Sequence, residues 1–149
     1  MNYLKINIFN SFILYFNSKY VIKRLYLMYE IDFYEDEQGY SDFEEFLNEL
    51  LDSNEKSKQS QLKKIRYQMH LLDQWGPQLR EPQVKELRGY KHKLFEMRPM
   101  PERIFFAFWD EDRYVILSHY QKRQNKTDPK KISKALKRLD NWLKRKEKD

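Results

Sequence analysis

The chemistry this chain could perform is concentrated in the basic residues of its second half. Lys85 and Arg88 lie on a short extended stretch. Arg98 ends one expected strand and Arg103 begins the next, and Lys122, Arg123 and Lys126 follow the last one. Neighbouring antiparallel strands bring such ends together. Cations that converge repel one another unless an anion joins them, so convergence on one concave sheet face implies a phosphate ligand. The bland alternative is a solvated surface or edge protection, which would disperse the same charges. Arg98 carries the sharpest signal, because a long cation inside a mixed apolar strand is unexpected unless it points to a functional face.

Other polar residues fall near these ends. Strand alternation puts Glu96 on the face of Arg98, where it serves either as a base or, the favoured reading, as a salt-bridge partner that orients the arginine. His119, near the end of the last strand, is a candidate acid or base; a lone histidine is also often a hydrogen-bonded structural residue. Tyr90 and Tyr120 read as base-stacking or packing residues. His92 reads as a solvated loop residue, and Asp110–Asp112 as a turn. Without cysteines, and with His70, His92 and His119 far apart, no metal-ligand spacing appears, so the expectation is no metal and no cofactor.

The elements that position these residues follow from periodicity. Met28–Tyr34 alternates like a strand. Gly39 breaks it, and Ser41 or Asp42 can cap a helix striped by Phe43, Phe46, Leu47, Leu50 and Leu51 to about Asp52. Ser53–Ser60 is polar and reads as a connection. Leu62, Ile65, Met69 and Leu72 mark a second helix that Gly76 and Pro77 stop. Short strands are expected at Val84–Arg88, Lys93–Met100, Arg103–Trp109 and Tyr114–Tyr120, the last two joined as a hairpin through Asp110–Asp112. Thr127 and Asp128 precede Pro129, a cap and a first-turn proline, and Ile132, Ala135, Leu136, Leu139 and Leu143 stripe a C-terminal helix. Helices at the ends and consecutive strands between them argue for an α+β fold on an antiparallel sheet.

Composition bounds the rest. The chain has 149 residues, a net charge of +6 and 16% aromatics, which fits one ordered domain with a polyanionic partner. Residues 1–27 differ in character from residues 28–149. They hold Lys5, Lys19, Lys23 and Arg24 and no acid, hence +4 of the +6, leaving +2 for residues 28–149. The expectation is an N-terminal extension, first of all a start assigned too early with Met28 opening the domain, then an added helix or strand, and last a membrane or secretion segment. The apolar run Ile6–Phe16 is too short and too interrupted to span a bilayer, and no membrane association is expected.

Residues 85–132 as an ordered set resemble the RelE/ParE superfamily of type II toxins, most closely the phage-derived HigB-like subgroup. The resemblance rests on Leu87-Arg88-Gly89, then Leu94 with Glu96-Met97-Arg98, then Arg103-Ile104 and an aromatic strand. Lys122-Arg123, Lys126-Thr127 and Pro129 opening a Lys-rich helix complete it. It extends over most of residues 28–145 and leaves out 1–27. It implies two N-terminal helices packed on a twisted antiparallel sheet with a C-terminal helix. It also implies a cytoplasmic, metal-independent endoribonuclease that cuts messenger RNA on the ribosome by 2′-hydroxyl attack. The implied partners are the ribosome, mRNA and a HigA-like helix-turn-helix antitoxin, with operator DNA reached only through the antitoxin. On this resemblance Arg98, Lys122, Arg123 and His119 are the candidate catalytic residues, and Lys85, Arg88, Arg103 and Lys126 contact RNA. The subgroup often carries histidine where Ser118 stands, and His119, one place on, faces the opposite side of the strand. The alternatives on the same scaffold are a ParE-like gyrase inhibitor and a catalytically degenerate nucleic-acid-binding module.

Overall fold

The structure is a computed structural model that describes residues 29–123 and 125–149. The expected extension over residues 1–27 lies outside the described residues. A five-stranded sheet is built from β1 (Glu30–Phe33), β2 (Val84–Leu87), β3 (Leu94–Met97), β4 (Glu102–Asp110) and β5 (Arg113–Gln121) in the order β1-β5-β4-β3-β2. Three helices cover it: α1 (Asp42–Asp52), α2 (Lys56–Trp75) and α3 (Pro129–Lys146). The α+β class is as expected, with one difference: the sheet is mixed. β2, β3, β4 and β5 pair antiparallel, while β1 runs parallel to β5. Two helices and three strands separate β1 from β5, so no hairpin dictates their direction, and the long connection permits the parallel pairing.

Alternation sends the strand side chains into two cores. Ile31, Phe33, Met97, Ile104, Phe106 and Ile116 face α1 and α2, where they meet Phe43, Leu47, Ile65, Met69 and Leu72. Leu94, Phe105, Ala107, Val115 and Leu117 face Ile132, Ala135, Leu139 and Trp142 of α3. Being covered on both sides, β4 is buried without a break from Glu102 to Ala107. A register shift at Phe105/Phe106, which pair with Ser118 and Ile116, leaves Leu117 as an extra residue in β5.

The helix ends follow the residues that cap them. Ser41 Oγ accepts from the Glu44 amide at 3.3 Å, so Ser41 rather than Asp42 caps α1. Asp128 Oδ1 accepts from the Lys130 amide at 2.9 Å, with Pro129 in the first turn of α3. α2 begins at Lys56, earlier than its apolar stripe, because Lys56–Gln61 is polar and solvated and shows no buried face to read. Gly76 ends α2 with φ +49°, and a Cβ there would lie 2.3 Å from the Tyr29 ring, so the position requires glycine. At the other end of the sheet Asp42 receives both Nη atoms of Arg138, at 2.9 and 2.8 Å, while Arg138 Nη1 also donates to Leu117 O at 2.7 Å. That guanidinium ties α3 to α1 and to β5. No helix among the described residues is long and apolar enough to cross a membrane.

Candidate nucleic-acid site

Glu96 is the centre of the site. Register places it between Lys85 of β2 and Phe105 of β4, on the α3 side of the sheet. It is 1% exposed. A carboxylate so buried must be paired, and it is. Its Oε1 lies 3.1 Å from Arg98 Nε and 3.6 Å from Arg103 Nε. Its Oε2 accepts from the Tyr120 hydroxyl at 3.0 Å and the Thr127 hydroxyl at 3.2 Å. Two guanidiniums over one carboxylate leave a positive excess. Glu96 thus holds and orients the arginines.

The arginines differ in what they have left to offer. Arg103 is buried, and its Nη1 donates to Glu102 O at 3.2 Å and contacts Met100 Sδ at 2.9 Å. Its Nε has no hydrogen-bond acceptor, the ion pair at 3.6 Å being too long. Arg98 is partly exposed and uses only Nε, so among the described residues its two terminal nitrogens make no hydrogen bond. Its backbone is fixed from both sides. The Arg98 amide donates to Gln83 O at 3.0 Å and to Gln68 Oε1 at 3.1 Å, and its carbonyl accepts from Gln68 Nε2 at 3.1 Å.

The remaining cations arrive on a loop anchored at both ends. Tyr120 at the end of β5 and Thr127 before α3 donate to the same Glu96 oxygen. Arg123 is three residues from Tyr120, which keeps their Cα atoms within about 11 Å. Lys122 is held through its amide, which donates to Pro101 O at 3.1 Å. The side chains of Lys85, Lys122, Arg123 and Lys126 make no ion pair or hydrogen bond among the described residues, so their charge is uncompensated. Burial pushes the Tyr120 phenol above its ordinary value; the Glu96 carboxylate adds to the rise, and Thr127 and Arg103 offset part of it. Tyr120 therefore stays protonated and donates.

Two sequence candidates lie elsewhere. His119 pairs in register with Ile104, so it faces α1, on the side of the sheet opposite Glu96. Its Nδ1 is 2.8 Å from Glu102 Oε1, its ring stacks on Phe46 at 4.2 Å, and Gln61 donates to the other Glu102 oxygen at 3.1 Å. Arg88 is exposed and turned toward Glu86, at 3.7 Å, away from the cluster. His92, read as a solvated loop residue, is partly buried against α3, with Nε2 2.7 Å from Asp140 Oδ1. Thr127, Tyr120 and Gln68 also build the site: from sequence Tyr120 reads as a stacking or packing residue and Thr127 as part of a helix start, and Gln68 carries no local signal. Among the described residues no group of three His, Asp or Glu is arranged to hold a metal ion.

Residues 49–140 match the family described as phage derived protein Gp49-like (DUF891), a span that contains the whole Glu96 cluster. No curated protein matches the chain significantly. Among solved structures, the archaeal RelE–RelB complex from Pyrococcus horikoshii OT3 matches with a TM-score of 0.42 and 18% identity, over 63% of this chain and 94% of that one.

Proposed function

The chain belongs to the phage-derived Gp49-like family, a family of RelE/HigB-type toxins, and we propose that it acts as the toxin of a toxin–antitoxin pair by cutting messenger RNA on the ribosome. The observation that carries this reading is the Glu96 carboxylate, which pairs with Arg98 and Arg103 and also accepts from Tyr120 and Thr127, the residues on either side of Lys122, Arg123 and Lys126.

In the proposed reaction a 2′-hydroxyl of the message loses its proton and attacks the adjacent phosphorus. The bond to the 5′-oxygen of the next nucleotide breaks, and that oxygen takes up a proton. The products are a 2′,3′-cyclic phosphate and a 5′-hydroxyl. The intermediate carries extra negative charge on its equatorial oxygens, so fixed cations stabilise it more than the ground state. The free end of the Arg98 guanidinium clamps the phosphate. Arg123, with Lys122 beside it, neutralises the transition state and the leaving oxygen. Lys85 and Lys126 bind flanking phosphates, and Arg103 braces the sheet below. The ribosome aligns the message, which lowers the demand on acid–base groups of the toxin. His119 pins α1 and α2 to the sheet through Phe46 and Glu102. A HigA-like helix-turn-helix antitoxin encoded beside the toxin restrains it.

The test is to induce the full chain in bacteria and map the 5′ ends of translated messages. Cuts inside reading frames that vanish when translation is blocked are expected. Growth arrest with intact messages would contradict the proposal.

A further inference from the structure

α2 carries Lys56, Lys58, Lys63, Lys64 and Arg66, and its lone carboxylate, Asp73, is buried. Its solvent side therefore presents no acid. Along that side Tyr67, Leu71 and Trp75 recur at i, i+4 and i+8, about 12 Å of helix. Tyr67 is 58% and Trp75 56% exposed. One exposed aromatic is ordinary. Two on one stripe, with Lys63 and Lys64 at one end and no acid beside them, form the combination that holds single-stranded nucleic acid, with rings for bases and ammonium groups for phosphates.

The flank of α2 next to the stripe meets the segment that carries Arg98. There Gln61 bonds the Glu102 side chain, Lys64 Nζ donates to Met100 O at 3.3 Å, and Gln68 holds both backbone groups of Arg98. The exposed Met100 lies between.

We propose that RNA leaving the Arg98 site crosses the outer face of α2, where Tyr67 and Trp75 each stack on a base and Lys63 and Lys64 meet phosphates. This inference rests on the nuclease reading and extends it to how the flanking strand is held. Message RNA is the occupant because Lys63 and Lys64 border the Tyr67 end, no exposed carboxylate lies along the helix, and the stripe adjoins the segment that carries Arg98.

The experiment is fluorescence anisotropy with the full chain and two labelled, 2′-O-methylated single-stranded RNAs of about 4 and about 16 nucleotides, the range one such surface spans. The longer RNA binds at least roughly tenfold more tightly to the native chain, and Tyr67→Ala or Trp75→Ala each removes about tenfold on the longer RNA and nothing on the shorter. Lys63→Gln flattens the salt dependence. Both aromatics are exposed, so the variants keep the native melting temperature. The proposal is overturned if the native chain binds both lengths alike, or if the aromatic variants hold the longer RNA as the native chain does. It is also overturned if these variants lose only a co-expressed protein partner. Messages that are still cut while both lengths bind alike sink this inference alone. A length advantage lost in the α2 variants while messages stay intact sinks the nuclease reading and leaves this surface standing.

Discussion

The side-chain amide of Gln68 grips the backbone of Arg98 by both its amide and its carbonyl, at 3.1 Å each. A helix residue thereby reinforces the end of the sheet, where Gln83 O is the strand-side acceptor of the same Arg98 amide. β3 ends at Met97, and Pro99 and Pro101 follow it. Removing the grip leaves the guanidinium present and its position loose. Gln68→Ala is expected to lower the rate of the cleavage step roughly ten- to hundredfold with little change in KM. The loss of stability is about 1 kcal/mol, measured by urea unfolding. An unchanged rate constant would remove Gln68 from the positioning role.

Glu96 cancels charge beneath two guanidiniums, one of them buried. Glu96→Gln strands Arg103 as an unpaired buried cation and releases Arg98. The expected loss is about 3 kcal/mol of stability, together with cleavage. Urea unfolding within about 0.5 kcal/mol of native would mean that the carboxylate does not hold the site together.

His119 makes its contacts on the α1 side, to Glu102 and Phe46. His119→Gln keeps a hydrogen-bond partner for Glu102 and removes the imidazole. Cleavage is expected within about threefold of native, with a lower melting temperature from the lost stacking. A folded variant slowed by roughly a hundredfold, the scale of a general acid–base contribution, would return His119 to the catalytic machinery.

Asp42 gives a pH signature. Burial alone would push its carboxyl up, but the hydrogen bonds and charges of Arg138 and Lys134 outweigh burial and hold it below the ordinary value. A carboxyl depressed in the folded chain contributes stability above its unfolded value, near pH 4, and that contribution fades as pH falls through the folded value. Asp42→Asn is therefore expected to cost about 2 kcal/mol at neutral pH, with the gap to native narrowing in acid. Parallel unfolding curves with a gap that stays constant throughout the acid range would refute the assignment.

Much of this architecture was legible in residue order, and where it was not the reason is physical. Ser41, Gly76 and Asp128-Pro129 act on their own neighbours, so the helix ends they set could be read locally. The start of α2 was hidden because Lys56–Gln61 is solvated and leaves no periodic trace. The direction of β1 was hidden because alternation reports which face a residue takes and not which strand lies beside it. At the candidate site, alternation correctly joined Glu96 to Arg98 and turned His119 away from the Ser118 face. Thr127 read only as part of a helix start, since its bond to Glu96 spans 31 residues. Gln68 lies 30 residues from Arg98 and gave no local signal.

The central claim is that cations from separate strands act on one RNA linkage. Its most direct measurement uses purified full chain, ribosomes paused on a defined message, and chemical analysis of the new ends. The account predicts 2′,3′-cyclic phosphate and 5′-hydroxyl ends from the native chain, and at least a roughly hundredfold loss for folded Arg98→Ala and Arg123→Ala. Native-rate cutting by Arg98→Ala, or 3′-hydroxyl ends from the native chain, would contradict it.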